Sequence, residues 1–268
     1  MLKMLVVIAA CNEAASLDQF LPRLSYAVGN LTSLSSCDIL VIDDGSSDKT
    51  AKISKSHGCM VLRNHENMGI GTSLRRGYRK AVRGDYNVVV TMDADGQHSE
   101  NFLRPMLEKL KNGADIVIAS RYHPDSERIQ VPLDRDFLNV AVSAQMRIAT
   151  GWEITDPLSG FWMMRRQCFE FALKNGNQER YGIHLENLVK FWYLAKPRPR
   201  LLEIAHPAIY GNHGSLPLLT REYSPSNKEA RVERFGTHAI HILEAIEDVR
   251  KFYPEIDQEM VQQRHKHK

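Results

Sequence analysis

Between residues 4 and 119, five short runs of mostly apolar, often β-branched residues alternate with longer amphipathic stretches, and this alternation constrains the fold more than any other feature of the chain. The runs cover residues 4–9, 38–43, 59–63, 87–92 and 115–119. Apolar spacing in the intervening stretches predicts helices over 13–28, 48–57, 70–83 and 100–111, with Ser47 or Asp48 and Ser99 as N-caps. Strand and helix repeated in this order give an α/β protein with a mostly parallel central sheet flanked by helices. Ligands of such sheets bind beyond the carboxyl ends of the strands, so the residues just after each run are the ones to read for chemistry.

After Arg121 the alternation stops. Residues 122–133 are polar and contain Pro124 and Pro132, which predicts a mobile loop able to close over a ligand. A helix over 135–150 follows, then TDPLSGFWMMRR as a turn entering a strand, helical patches at 167–174 and 184–194, and a strand near 201–205. Val232, Phe235, Ala239, Ile242, Ile246 and Val249 recur at helical steps and mark one apolar stripe of a C-terminal helical extension. Such a stripe docks on its own domain or serves as the contact of a homodimer. The expected division is a domain over 1–222, with a nucleotide-binding half (1–120) and an acceptor half (121–222), and an extension with a basic tail over 223–268.

Thirty-five basic and 32 acidic residues are spread along the whole chain, and the net charge of +3 gives no ground for a nucleic-acid partner. Cys11, Cys37, Cys59 and Cys168 have no metal-ligand spacing and read as reduced thiols. No apolar run approaches the roughly 18–20 residues of a membrane span, and the first run breaks too early for a signal peptide. A soluble, cytoplasmic protein is the expectation.

The segment TMDADGQH places two carboxylates one residue apart at the end of an apolar run. On an extended backbone Asp93 and Asp95 share a side, as a hard cation bridging two phosphates requires, with Gln97 and His98 in reach. The plainer alternative is a polar strand end capping the next helix. In VIDDGSSDKT, Asp43 and Asp44 suit donors of a ribose or base, whereas Ser47 and Asp48 are accounted for as turn and cap. Gly69 and Gly71 stand at a helix start where free amides can face phosphate, although glycine is common there.

Taken in order, CNEAASL, VIDDGSSDKT, NMGIGTSLRRGYRKA, TMDADGQHSENF, ASRY and TDPLSGF resemble the family 2 glycosyltransferases, and among them the dolichol-phosphate mannose synthase-like branch. The resemblance implies a GT-A fold, inversion at the anomeric carbon, and a GDP- or UDP-sugar donor. It implies Mg²⁺ or Mn²⁺ at Asp95 with Gln97 and Asp93, and a nucleotide pocket formed by Ala10, Asn12, Glu13, Asp43, Asp44, Gly69, Gly71, Asp93 and Ala94. It puts Arg121 at the phosphates or acceptor and makes Glu186, with Asp156 as second candidate, the general base for a hydroxyl acceptor. An exposed acid on a helix and a turn cap are the competing readings of those two. His206 and His213 are read either as acceptor ligands or as ordinary loop histidines.

Two departures count against a polyprenyl-phosphate acceptor and favour a hydroxyl: Trp162 stands where the branch often has arginine, and the expectation from the apolar runs is a protein without the branch's membrane anchors. Cys11 also replaces an aromatic that stacks near the base. Two other activities compete, a sugar-phosphate nucleotidyltransferase and an inactive sugar-nucleotide-binding protein. The first needs a glycine-rich basic loop that AACNEAAS does not supply, and the retained DxD carboxylates argue against the second.

Overall fold

The first run becomes strand β1 (Leu2–Ala10), in which Met4, Leu5, Val6, Val7 and Ile8 are all fully buried. Both faces of a strand disappear from solvent only in the middle of a sheet covered on both sides, and β1 has that place. Leu5 and Val7 join one apolar cluster, while Met4, Val6 and Ile8 join the other on the opposite face.

The computed structural model describes residues 2–210 and 228–252, with side chains of the last helix described over 237–249. After β1 come α1 (Ala14–Gly29), β2 (Leu34–Asp43), α2 (Thr50–Ser56), β3 (Met60–Arg63), α3 (Ile70–Arg83) and β4 (Val88–Asp93). A 3-10 turn (Glu100–Phe102) leads into α4 (Leu103–Lys111) and β5 (Ile116–Ser120). The second half holds β6 (Arg128–Ile129), α5 (Leu133–Thr150), β7 (Trp162–Arg165), α6 (Arg166–Asn175), α7 (Ile183–Leu194), β8 (Leu201–Ala205), β9 (Ala208–Ile209) and α8 (Lys228–Phe252).

Seven strands form one sheet in the order β3-β2-β1-β4-β7-β5-β8. Only β7 runs antiparallel to its neighbours, β4 and β5. The chain builds outward from β1 to β3 and then restarts on the other side of β1 with β4, so the strand order reverses between β1 and β4. A crevice opens outside the carboxyl ends at such a point. Close packing of α3 on β1 depends on Gly77, where a Cβ would lie 2.4 Å from Cγ1 of Val7.

Two expectations change, and one pair of alternatives is decided. The segment 122–133 carries a short strand where a loop was expected: β6 pairs in parallel with β9, Ala208 N–H donates to Glu127 O at 2.8 Å, and the Ser126 hydroxyl donates to Ser120 O at 2.7 Å. Over the described side chains the apolar face of α8 is used internally, because Ile242 and Val249 of the stripe, with Ala245 beside them, are buried where α8 packs on α7 and α5. That contact gives the described part of the stripe a partner within the chain. Asp48 does not sit at the N-cap of α2, which is Lys49; its carboxylate instead accepts from Thr50 N–H at 2.8 Å and Ala14 N–H at 3.0 Å, tying α2 to α1. His213, Val232 and Phe235 and the basic tail lie outside the described side chains.

Candidate active site

Register brings the strand-end residues level. Ala10 pairs with Asp43, Ala9 with Asp93, and Asp43 with Arg63. Asn12 follows β1 with φ of 59°, a left-handed conformation that asparagine tolerates better than most residues. Its Oδ1 accepts from Ser47 N–H at 2.9 Å and its own N–H donates to Ser46 Oγ at 2.9 Å, so Asn12 shapes the edge by holding the next loop. Glu13 does likewise, with N–H donating to Thr50 Oγ1 and Oε2 accepting from Ser16 Oγ at 2.7 Å.

The two acids after β2 differ. Asp44 is saturated: it accepts from the side chain of Asn64, from Met68 N–H at 3.0 Å and from Gly69 N–H at 2.9 Å. Asp43 accepts from Ser46 N–H through Oδ1, but its buried Oδ2 has no hydrogen-bond partner and only the Arg63 guanidinium at 3.4 Å. A buried carboxylate oxygen left in that state has capacity for a ligand donor.

Of the expected phosphate-facing amides, that of Gly69 is already spent. Gly69 N–H is given to Asp44, Thr72 N–H donates to Glu179 O, and the loop before α7 covers the start of α3. A Cβ on Gly69 or Gly71 would stand 2.5 Å from Glu179 O or 2.3 Å from Gln178 O. Both glycines therefore serve the close approach of two backbones.

At the end of β4 the strand stops at Asp93 and turns, so Asp95 lies on a turn and not on an extended backbone. Oδ1 of Asp95 accepts from Gln97 N–H at 2.9 Å. Both carboxyls sit above the usual range: burial raises them, and the charge of Asp93 raises Asp95 further. Among the described residues no three His, Cys, Asp or Glu side chains form a ready cation cage. Two mutually repelling carboxylates fit a divalent ion whose other ligands come from a bound diphosphate.

Gly160 lies beneath this pair, where a Cβ would stand 2.8 Å from Oδ1 of Asp93. Ala94 is buried under the turn. His98 accepts from Asp93 N–H through Nδ1 at 2.9 Å, so Nε2 carries the proton and faces Oδ2 of Asp93 at 3.5 Å. Burial pushes His98 down to about 4 and His206 to about 3. Both rings are neutral near pH 7, and they pack around Phe161.

Arg121, just after β5, grips Asp156: Nε donates to Oδ2 at 2.8 Å and Nη2 to Oδ1 at 3.0 Å. Burial alone would lower the guanidinium, but the Asp156 carboxylate outweighs it and drives the pKa upward. Glu203 on β8 completes the turn, accepting from Thr155 N–H at 2.8 Å and Asp156 N–H at 3.0 Å. Glu186, fully buried on α7, accepts from Asn177 N–H at 2.8 Å, Gln178 N–H at 3.0 Å and Lys190 Nζ at 2.8 Å. The exposed-acid reading of Glu186 fails on its burial. The base reading meets a carboxylate whose accepting directions are already filled.

The profile described as Glycosyl transferase family 2 matches residues 5–171. The chain belongs to this family. It is 33% identical over 209 residues to "Undecaprenyl-phosphate mannosyltransferase" of Micrococcus luteus, covering 76% of this chain and 82% of that one. It is 32% identical over 198 residues to "Dolichol-phosphate mannosyltransferase" of Pyrococcus furiosus, covering 72% of this chain and 54% of that one, so it spans about half that relative's length. A solved glucosyl-3-phosphoglycerate synthase from Mycobacterium tuberculosis, in complex with Mn²⁺, UDP and glucosyl-3-phosphoglycerate, superposes with TM-score 0.64 at 18% identity, covering 91% of this chain and 78% of that one. The fold is GT-A, and this family 2 glycosyltransferase is an enzyme that transfers a sugar.

Within the glycosyltransferase, Asp43, Asp93, Asp95, Arg121 and Asp156 gather at the ends of β2, β4 and β5, while Glu186 lies behind the α3 start. The sequence reading missed Glu203, the acid that holds the Thr155–Asp156 turn. It sits inside an otherwise apolar strand, and that misplaced charge is the signal that was available. No helix among the described residues is long and apolar enough to cross a membrane.

Proposed function

We propose that the enzyme moves a hexosyl group, with inversion, from a GDP- or UDP-sugar to the phosphate of a polyprenyl phosphate, in the presence of Mg²⁺ or Mn²⁺. The observation that carries this reading is that both candidate bases are already engaged: Asp156 is bidentate with Arg121 and Glu186 is tied to Lys190 and two amides. The buried imidazoles of His98 and His206, pushed down to about 4 and about 3, are weak bases. An anionic phosphate needs no base to attack, whereas a hydroxyl gains from proton removal. The names of the two relatives agree with a lipid-phosphate acceptor.

Asp93 and Asp95 would hold the cation, with Gln97 beside them, and the cation would neutralise charge on the departing diphosphate. Asp43 offers to the nucleoside its Oδ2, which accepts no hydrogen bond and faces Arg63 at 3.4 Å. Arg121, kept protonated by Asp156, supplies fixed positive charge where acceptor and donor phosphates meet. As the acceptor phosphate oxygen bonds to the anomeric carbon, the bond from that carbon to the donor diphosphate breaks, and the nucleoside diphosphate leaves with the electron pair.

Trp162 does not oppose this acceptor. Its indole is fully buried, donates to Ser159 O at 2.7 Å and packs on His184, so the side chain faces the core and not the strand-end crevice. Transfer from GDP- and UDP-sugars should be compared with a short polyprenyl phosphate, the matching polyprenol and free sugars as acceptors. Product with the phosphate alone is expected; turnover of a hydroxyl acceptor while the phosphate is ignored would restore the hydroxyl reading.

A further inference from the structure

We propose that α8 is a positioning element of the nucleotide site: two acids on it, Glu244 and Asp248, hold the loop over residues 176–180 against the start of α3 and so fix the strand-end edge that meets the nucleotide. The inference rests on the nucleotide-sugar reading for its consequence, but its physical basis is a continuous set of contacts. Lys190 is buried on α7 and spends all three of its N–H bonds, on Asn175 O at 2.8 Å, Glu186 Oε1 at 2.8 Å and Asp248 Oδ2 at 3.1 Å. Glu186 passes the restraint to the amides of Asn177 and Gln178. Glu244 reaches the same loop directly, accepting from Gln178 Nε2 at 2.9 Å.

The loop in turn grips α3. Gln178 O accepts from Arg75 Nη1 at 2.6 Å, and Glu179 O accepts from Thr72 N–H at 3.0 Å. From there Gly69 N–H donates to Asp44, whose own N–H donates to Ala10 O at 2.8 Å, level with Asp43. Glycine is used at each tight crossing: a Cβ on Gly71 would meet Gln178 O at 2.3 Å, and one on Gly182 would meet the His241 ring of α8 at 2.5 Å. The start of α7, the loop over 176–180 and the start of α3 are thus stacked closely between α8 and the end of β2. Loosening one end of such a stack moves the other.

A buried lysine shared by two acids from different helices, with glycines at the crossings, exceeds what docking α8 by its apolar stripe would require. Lys190, Glu186, Glu244 and Asp248 are accordingly positioning residues.

The test is the double variant Glu244→Gln with Asp248→Asn, the first at an exposed and the second at a partly exposed position and so compatible with folding. Hydrogen exchange of amides 68–73 and 177–180 is measured without ligand, and the Kd of UDP and GDP with Mn²⁺ is measured by calorimetry. Exchange in both segments should accelerate at least about tenfold, and the Kd of whichever nucleotide the wild type binds should rise about five- to tenfold while kcat stays within about twofold. Faster exchange confined to α8, or accelerated loop exchange with unchanged nucleotide Kd, would overturn the proposal. If the wild type binds neither nucleotide, the donor reading fails by itself and the exchange data alone judge whether α8 holds the α3 start.

Discussion

The carboxylates of this enzyme fall into two regions that obey opposite rules. Around Arg121 and α7, each acid is finished: Asp156 has the guanidinium, Glu203 has two amides, Glu186 has a lysine and two amides. At the ends of β2 and β4 three acids, Asp43, Asp93 and Asp95, are unfinished, while Asp44 beside them is already filled. Asp43 keeps a buried oxygen without a hydrogen-bond partner, and the charge of Asp93 raises the cost of ionising Asp95. A folded chain gains by satisfying buried charge, so acids left short of partners mark where something outside the chain supplies them.

The largest effect that would break this comparison is at Asp95. Asp95→Ala should lower kcat by about 10³-fold, worth about 4 kcal/mol of transition-state stabilisation, with thermal stability unchanged or slightly raised because a repulsion is removed. Normal turnover in the variant, or turnover of the wild type in EDTA, would show that the unfinished acids hold no cation. The finished region should respond in the opposite currency. Asp156→Asn leaves a buried guanidinium without its counter-charge, and denaturant titration should show a loss of about 3–5 kcal/mol of stability.

Glu186→Gln sharpens the contrast further. If the side chain anchors the loop, stability falls by about 1–3 kcal/mol and kcat changes less than about tenfold. A loss of about 10²- to 10⁴-fold in kcat with stability intact would instead mark a general base. The smallest expected effect is that of Gly160→Ala, whose new Cβ would press on Oδ1 of Asp93. The concentration of Mn²⁺ giving half-maximal rate should rise about tenfold at constant saturated kcat. An unchanged metal requirement would mean that Asp93 is not held by that contact.

Much of the fold was legible because it is local. The strand runs and the helix over Ile70–Arg83 follow from apolar spacing alone, and Ser99 caps the 3-10 turn as its side chain suggests, accepting from Asn101 N–H at 3.4 Å. The reversal of β7 between β4 and β5 was not legible, since WMMR carries no mark of direction. Nor was the short strand within 122–133, because its partner β9 lies some eighty residues away in sequence.

The sequence by itself determined the alternating sheet, the acids at the strand ends and membership of the family, since period, strand-end placement and motif order are properties of a linear chain. Only the tertiary structure decided which acids are spent and which are not. Asp43 and Asp44 are neighbours of the same type, and Glu186 reads as well for a base as for an anchor until Lys190, Asp248 and the amides of 177 and 178 are seen around it. The physical reason is that a carboxylate's role is set by the donors within hydrogen-bond reach, and those donors come from segments that only folding brings together.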